Sequence, residues 1–218
     1  MQYPNITPAV FLSRENRFVA TVKLNGQPIK VHVKNTGRCR ELLVPGATVY
    51  LTRSDNEKRK YGYDLVAVRK GELLVNMDSQ AANTVFGEFL RGGGLVDGVT
   101  LVKPEYTFGA SRIDFYFERG TARHLAEVKG VTLEENGVCR LPDAPTLRGA
   151  KHLRELTKAA SEGFHAWICF VVQMDGMKNL EPNVRTDPDF AAALREAAQA
   201  GGQGEAVCCR GEPGKIRG

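Results

Sequence analysis

Two carboxylates and a lysine interrupt two runs of the chain that otherwise have the alternation of β-strands. Asp114 lies in "RIDFYFE", and Glu127 and Lys129 lie in "LAEVKGV". Because side chains alternate between faces along a strand, Glu127 and Lys129 share a face, and Asp114 projects from the polar face of its own run. If the two runs pair as a hairpin, the three groups form one acid, acid, lysine cluster on rigid elements.

Such a cluster is suited to phosphodiester cleavage. Two converging carboxylates repel each other unless a cation neutralises them, and hard cations such as Mg²⁺ take oxygen ligands from one or two carboxylates plus substrate phosphates. A neighbouring lysine can orient an attacking water and stabilise charge on the phosphoryl group. A solvent-facing salt bridge on a half-exposed sheet would give the same pattern, so spacing alone leaves both interpretations open.

The elements that must position this cluster come in two groups, and the first 80 residues have a strand pattern. "RFVATVKLNGQPIKVHV" alternates apolar residues on both sides of Asn25-Gly26, which predicts a hairpin. Three more short apolar runs follow, "ATVYLTR", "YDLVAVR" and "ELLVNM". Five short strands predict a small closed barrel of the OB-fold type, because closure removes exposed edges; an SH3-like barrel fits almost as well.

After residue 80 helical and strand patterns alternate. Helices are predicted for "QAANTVFGEFLRGGG", for residues 148 to 162, and after Asp187-Pro188, where an N-cap and a first-turn proline mark a helix start. Strands are predicted at 99 to 107, 111 to 118, 123 to 131, "HAWICFVVQ" and "EAVCCR". This order predicts a mixed α/β sheet, and the glycine-rich end "GEPGKIRG" is predicted to be a frayed tail.

The composition is that of an ordinary globular protein. With 218 residues and 42% hydrophobic content the chain can bury a core, and a net charge of +5 permits a polyanionic partner without requiring one. Five cysteines without CxxC spacing argue against both a disulfide framework and a zinc site. Because no apolar run reaches about 18 residues and the start lacks a signal-peptide pattern, we expect a cytoplasmic protein without a membrane partner.

Six segments have unusual sequences and together span nearly the whole chain. They are "NTG" at 35 to 37, "RSDNEKRKY" at 53 to 61, "SRIDF" at 111 to 115, "EVKGVTL" at 127 to 133, "LPDAPTLRGAKHLREL" at 141 to 156 and "FVVQ" at 170 to 173. In this order they resemble the sugar fermentation stimulation protein (SfsA) family. The resemblance implies a two-domain α/β (α+β) fold. Residues 1–80 would form an OB-fold-like, nucleic-acid-binding barrel, and residues 81–218 a mixed-sheet domain of the PD-(D/E)xK, restriction-endonuclease-like type.

The resemblance also implies roles for individual residues. Asp114 matches the first motif acid, Glu127 the second acid and Lys129 the motif lysine. Glu88, in "FGEFL", is similar to the additional helix-borne acid of many such nucleases. The implied catalytic residues are therefore these four, with Asp114 and Glu127 as ligands of Mg²⁺ or Mn²⁺. The chain departs from the family pattern at Gly130, where asparagine is more frequent.

Basic and aromatic side chains elsewhere predict contacts with nucleic acid. Lysines and arginines interleaved with tyrosines suit phosphates and unpaired bases, although a solvated loop would have the same composition. The glycine of "NTG" favours a turn with close backbone approach to DNA, and His32 is predicted to lie on the barrel surface. The predicted nucleic-acid-binding residues are Arg53, Lys58, Arg59, Lys60, Tyr61, Asn35, Lys151 and His152.

Three functions are compatible with these patterns. The first is a metal-dependent nuclease acting on DNA, or alternatively RNA, with a homodimer as a further expectation. The second is a non-catalytic DNA-binding transcriptional regulator of sugar or maltose metabolism that keeps a nuclease-like fold. The third is a barrel module for protein contacts, which predicts no salt-dependent affinity for DNA. The intact acids and lysine favour the nuclease, because a pure binding surface gains nothing by presenting carboxylates to phosphates.

Overall fold

A computed structural model of the protein describes residues 1–35, 37–56 and 58–218. Thr36 of the "NTG" turn and Glu57 of "RSDNEKRKY" lie outside the described residues. The described part of the chain has three helices, α1 (Ala81–Arg91), α2 (Leu147–Ser161) and α3 (Pro188–Gln199). None of these helices is long and apolar enough to cross a membrane.

The N-terminal part is a barrel. Its strands are β1 (Ile6–Asn16), β2 (Val19–Leu24), β3 (Gln27–Val33), β4 (Thr48–Arg53), β5 (Tyr63–Lys70) and β6 (Leu73–Asn76). They follow the order β3-β2-β1-β4-β5-β6, and pairing of β3 with β5 closes the first five strands on themselves. The OB-like prediction is confirmed. Strand β1 was not predicted, because bulges next to Phe11 and Arg14 break its period of two.

The C-terminal part is a mixed α/β sheet, as predicted. Its order is β14-β12-β9-β8-β7, with β9, β12 and β14 parallel and β7, β8 and β9 antiparallel. Helix α1 packs on one face of the sheet, and α2 and α3 pack on the other. These strands are β7 (Leu101–Phe108), β8 (Ser111–Arg119), β9 (Ala122–Val131), β12 (His165–Val172) and β14 (Gln203–Cys208).

The starts of α2 and α3 follow from their capping residues. The Thr146 side chain accepts from the backbone N–H of Gly149, and the Asp187 side chain accepts from that of Phe190. Each bond satisfies one of the free N–H groups of a first helical turn. The predicted cap at Asp187 is therefore confirmed, and α2 begins one residue before its predicted start.

The prediction of a frayed C-terminal tail is wrong. Residues 210–217 form a hairpin of β15 (Arg210–Glu212) and β16 (Lys215–Arg217), and Ile216 is buried beneath α1. The glycine-rich composition of this segment predicted a tail, because Ile216 is its one large apolar residue. A small sheet also forms where no strand was predicted; its strands are β10 (Leu133–Glu135), β11 (Val138–Leu141) and β13 (Asn179–Pro182).

The barrel and the mixed sheet share a core. Val131 and Val172, from the ends of β9 and β12, belong to the same apolar cluster as the barrel interior. A buried polar link accompanies it: Gln173 donates from Nε2 to Asn76 Oδ1 at 3.0 Å and to the Asp78 carbonyl at 2.9 Å. The strand end that carries the acid and lysine is therefore braced against the barrel.

Candidate active site

The antiparallel ladder between β8 and β9 ends where the acids begin. Pairing runs from Arg119 opposite Ala122 to Phe115 opposite Ala126 and then stops, while β9 continues beside β12. Asp114 is the next residue, and its Oδ2 accepts from the backbone N–H of Val128 at 2.8 Å. A carboxylate thus takes the place of a strand carbonyl, and it sits in the fork between two separating strands.

The predicted alternation of β8 is wrong at this fork. Alternation along β8 would place Ile113, Phe115 and Phe117 on one face, but Phe115 and Phe117 pack against α1 whereas Ile113 packs on the side of α2 and α3. On β7, Glu105 lies between the residues paired with Phe115 and Ile113 and has a φ of 58°. This left-handed residue and the end of the ladder break the period of two at Asp114.

Helix α1 supplies the second contact to Asp114. Asn83 donates from Nδ2 to Asp114 Oδ1 at 3.0 Å. Burial, and next the charge of Glu127, raise the pKa of Asp114 above its usual range, although the N–H of Val128 opposes them. The sequence did not predict this role of Asn83. Its one signal in the sequence is a polar side chain among the mostly apolar residues of α1. Burial is the larger cause of this pKa shift, and the Glu127 charge adds to it because a like charge disfavours ionisation of Asp114.

Glu127 is the most buried member of the cluster, with 2% of its side chain exposed. Its Oε1 accepts from Lys129 Nζ at 2.5 Å and also contacts Nδ1 of His152. Burial acts to raise the pKa of Glu127, but the His152 hydrogen bond and the Lys129 charge outweigh it and lower the pKa. Its other oxygen, Oε2, is buried and has no hydrogen-bond partner among the described residues.

An unpaired buried oxygen beside a second carboxylate fits a cation. A buried acceptor without a partner is costly, and a cation would satisfy Glu127 Oε2 and relieve its repulsion with Asp114. Across residues 1–35, 37–56 and 58–218, no group of three or more His, Cys, Asp or Glu side chains forms a metal cage. Mg²⁺ needs no such cage, because it usually takes one or two carboxylates together with waters and substrate phosphates.

Glu88 lies on the same cavity as Asp114. This cavity has a volume of about 400 Å³, and Asn83 and Arg91 of α1 also line it. The Glu88 carboxylate is 55% exposed, and its Oε2 accepts from the amino group of Met1 at 2.8 Å. The structure therefore brings Glu88 to the cavity of Asp114, although its carboxylate is already paired.

Arg59 and His32 both contact the carboxylate of Asp64 in the barrel. The Arg59 guanidinium donates to both oxygens of buried Asp64, at 2.6 and 2.9 Å, and His32 Nδ1 lies 2.9 Å from Asp64 Oδ1. Burial acts to raise the pKa of Asp64, but the Arg59 and His32 hydrogen bonds lower it overall. Arg59, predicted to contact nucleic acid, is thus held in an internal ion pair, and His32 is tied to the same acid.

The other predicted residues of the basic segment remain accessible. Arg53, Lys58 and Lys60 are exposed, and the Lys60 ammonium lies 5.5 Å from the ring centre of the half-buried Tyr61. All of them lie at the end of β4 or in the connection to β5, on the barrel. Exposed cationic side chains near one aromatic ring are the composition that the nucleic-acid prediction requires.

Asn35 and Gly37 of "NTG" are held by hydrogen bonds within the protein. Asn35 Oδ1 accepts from the Gly37 N–H at 2.7 Å, and Arg14 donates to the carbonyls of Asn35 and Gly37 at 2.8 and 2.9 Å. A Cβ at Gly37 would lie 2.6 Å from Asp143 Oδ2, so a larger residue there would displace the Asp143 side chain. The backbone at Gly37 therefore approaches Arg14 and Asp143 of the protein itself.

Lys151 and His152, the last two predicted residues, point in different directions from helix α2. Lys151 is exposed, with Nζ 3.4 Å from the Ala110 carbonyl. His152 is only 6% exposed, and its ring faces Glu127. Neighbouring positions on an α-helix point about 100° apart, so one side chain faces outward and the next inward. Lys151 keeps its predicted surface position, whereas His152 belongs to the acid and lysine cluster.

The fold and the site together define the class of protein. It has an OB-like barrel joined to a mixed α/β sheet, with an acid, acid, lysine cluster where two strands separate. Two family models match the chain in this order. The SfsA N-terminal OB domain matches residues 12–77, and the sugar fermentation stimulation protein RE domain matches residues 80–215. The chain belongs to the sugar fermentation stimulation protein family.

Similar proteins extend this match along the chain. A sugar fermentation stimulation protein homolog of Desulfitobacterium hafniense is 51% identical over 92% of this chain and 88% of its own length. The homolog of Clostridium beijerinckii is 48% identical over 96% of this chain and 92% of its own. Among solved structures, Pyrococcus furiosus SfsA in complex with Ca²⁺ is 29% identical with a TM-score of 0.91, covering 99% of this chain and 94% of that one.

Proposed function

We propose that the protein binds DNA and hydrolyses its phosphodiester bonds with the help of a divalent cation. The observation that carries the proposal is the unpaired, buried Oε2 of Glu127, which lies beside Asp114 and Lys129 and has no partner among the described residues. The Pyrococcus furiosus relative supports a cation site in this fold, since its structure is a complex with Ca²⁺. Ca²⁺ and Mg²⁺ are both hard cations that prefer oxygen ligands.

In this proposal Asp114 and Glu127 hold Mg²⁺ or Mn²⁺. When bound, such an ion makes water a better nucleophile and neutralises charge on the phosphate. Asn83 and the Val128 N–H hold the Asp114 carboxylate in the fork of the strands. Lys129, whose side chain is 20% exposed, can reach both Glu127 and a substrate, so its ammonium positions the attacking water and stabilises phosphoryl charge.

Glu88 is proposed to assist as an additional acid. It lines the same cavity as Asp114, and its exposed carboxylate can exchange the Met1 amino group for another cation. An exposed ion pair contributes only about 0 to 1 kcal/mol, so such an exchange costs little. Glu88 therefore has a smaller expected effect on catalysis than the buried Glu127.

DNA binding is proposed for the exposed basic residues. Arg53, Lys58 and Lys60 present exposed charge on the barrel, with Tyr61 as a stacking ring. Lys151 adds charge on α2, next to His152 of the cluster in the sequence. In this arrangement residues 1–80 bind nucleic acid and residues 81–218 cut it. A cytoplasmic location and a homodimer remain predictions.

The test is a cleavage assay with single- and double-stranded DNA and RNA in Mg²⁺, Mn²⁺ or EDTA. We expect cutting by the wild type in either metal and none in EDTA. Asp114→Ala and Lys129→Ala should each slow it at least about 100-fold, because they remove charge stabilisation at the reacting phosphate. Asp175→Ala and Lys178→Ala change an exposed acid and an exposed lysine elsewhere and should cut like the wild type.

Two results would overturn the nuclease proposal. The first is a wild type that cuts no substrate in any metal. The second is unchanged cutting by Asp114→Ala and Lys129→Ala, which would point to a contaminating nuclease. Salt-dependent binding of DNA without any cutting would instead support the non-catalytic regulator.

A further inference from the structure

A chain of contacts on helix α2 ends at Glu127. His152 Nδ1 contacts Glu127 Oε1, and Arg148 Nε lies 3.4 Å from His152 Nε2. Arg148 and His152 are four residues apart, so both lie on one face of the helix. His152 is only 6% exposed, which keeps water from competing for its ring nitrogens.

The contacts assign the ring proton of His152. Arginine has only donors, so His152 Nε2 must accept in this contact. A neutral imidazole then carries its proton on Nδ1, and that N–H donates to Glu127 Oε1. Arg148 thereby selects the tautomer that can hold the carboxylate.

The same contacts orient the carboxylate of Glu127. Lys129 and His152 both engage Oε1, and the two donors come from different elements, β9 and α2. With Oε1 held from two directions, rotation of the carboxylate is restricted. Oε2 is left as the oxygen without a partner among the described residues.

We propose that His152 is a positioning residue, which donates its Nδ1–H to Glu127 Oε1 so that Oε2 faces the divalent cation. Arg148 fixes the tautomer of His152 and has no direct contact with the carboxylate in this role. The inference rests on the proposed function, because it requires a cation at Glu127. It replaces the prediction that His152 contacts nucleic acid.

The test compares two substitutions that differ in where they donate. Asparagine at position 152 places its amide N–H near the position of the imidazole Nδ1, whereas the longer glutamine places it near Nε2. Both substitutions remove the ring, and a role in packing alone would favour the larger glutamine, the opposite of the order that donation from Nδ1 predicts. Mn²⁺ binding to the full-length protein is measured by isothermal titration calorimetry, with thermal unfolding of each variant as the check on folding.

We expect His152→Asn to bind Mn²⁺ within about threefold of the wild type and His152→Gln to bind about 10- to 100-fold more weakly, the usual cost of losing a residue that orients a metal ligand. Equal affinities in folded Asn and Gln variants would overturn the inference alone. A wild type that binds no Mn²⁺ would overturn the proposed function and the inference with it.

A second measurement needs no metal. Long-range ¹H–¹⁵N correlation spectra distinguish the two neutral imidazole tautomers, and we expect the proton of His152 on Nδ1 in the wild type. Arg148→Met should raise the share of the Nε2–H tautomer, whereas Arg154→Met, on an exposed part of the same helix, should leave it unchanged. A wild type with its proton on Nε2 would overturn the inference even if the Mn²⁺ affinities agree with it.

Discussion

Asp64 in the barrel and Glu127 in the mixed sheet have the same kinds of neighbour. Each is a buried carboxylate in contact with one cationic side chain and one histidine. Arg59 and His32 surround Asp64, and Lys129 and His152 surround Glu127. The two clusters differ in how the donors are distributed over the carboxylate oxygens.

In the Asp64 cluster, both carboxylate oxygens have hydrogen-bond partners. Arg59 donates to both oxygens, and His32 contacts one of them, so each oxygen has a partner. The planar guanidinium makes this possible because its fork matches a carboxylate, whereas a lysine ammonium is a point charge. At Glu127 both donors engage Oε1, Oε2 is unpaired among the described residues, and Asp114 adds a second negative charge. The distribution of donors over the two carboxylate oxygens separates a structural ion pair from a candidate metal site.

The largest expected effect is the loss of cleavage in Glu127→Gln. We expect the rate to fall at least about 1,000-fold, because several kcal/mol of transition-state stabilisation depend on the metal. Asp64→Asn should cut at the wild-type rate when assayed well below its unfolding temperature. Equal losses of activity in the two folded variants would remove the functional distinction between the clusters.

We expect the two substitutions to affect the free energy of unfolding in the reverse order, with the larger loss in Asp64→Asn. Asp64→Asn leaves the partly buried Arg59 without its carboxylate, which we expect to lower the free energy of unfolding by about 3 kcal/mol. Glu127→Gln should have a smaller effect, because it also removes repulsion with Asp114. Urea denaturation of both variants measures the difference, and a greater loss in Glu127→Gln would contradict it.

A second buried histidine, besides His152, has no carboxylate partner among the described residues. His124 is 4% exposed, accepts from Trp167 Nε1 at 3.2 Å, and stacks between the rings of Phe117 and His165. Burial, together with the charges of His165 and Arg119, lowers its pKa to about 4 from an ordinary value of 6.5. Its pH dependence therefore follows from burial rather than from an ion pair.

The unfolded chain binds this proton near pH 6.5, whereas the folded protein binds it only near pH 4. The stabilising contribution is therefore complete above pH 6.5 and is lost as the pH falls toward 4. We expect the free energy of unfolding to drop by about 2 kcal/mol from this group at pH 5 relative to pH 7.5. Denaturation at both pH values should show a smaller drop in His124→Phe, and an equal drop would refute the assignment.

The smallest expected effects concern DNA affinity. Lys58→Ala and Lys60→Ala each remove an exposed charge and should reduce the slope of log affinity against log salt by about 1. Arg59→Ala should change this slope less, because its guanidinium is engaged by Asp64. Salt titrations of binding by fluorescence anisotropy test this order. A larger change in Arg59→Ala than in Lys58→Ala would show that the ion pair opens on DNA.

Local patterns predicted the barrel, the mixed sheet, the helices and the shared face of Glu127 and Lys129, because periodicity and capping act over a few residues. They could not separate Arg59 from Lys58 and Lys60, since the difference depends on the position of Asp64 in the folded barrel. The contact of His152 with Glu127 spans 25 residues. A pattern along one strand or helix carries no information about such a partner.

The fork at Asp114 illustrates a second limit. Regular alternation predicted a face for Asp114, but the end of the β8–β9 ladder and the left-handed Glu105 change the local geometry. The Asn83 contact then depends on how α1 packs over the sheet. The sequence motifs identified the acids, whereas tertiary packing decides how each acid is held.

The central claim is that Glu127, whose Oε2 has no hydrogen-bond partner among the described residues, binds a divalent cation. Mn²⁺ titration of the wild type, Glu127→Gln and Asp64→Asn tests this claim most directly. We expect binding by the wild type and Asp64→Asn, and weakening of at least about 100-fold in Glu127→Gln, because it removes a charged oxygen ligand. Absence of binding by the wild type, or equal binding by Glu127→Gln, would contradict the account.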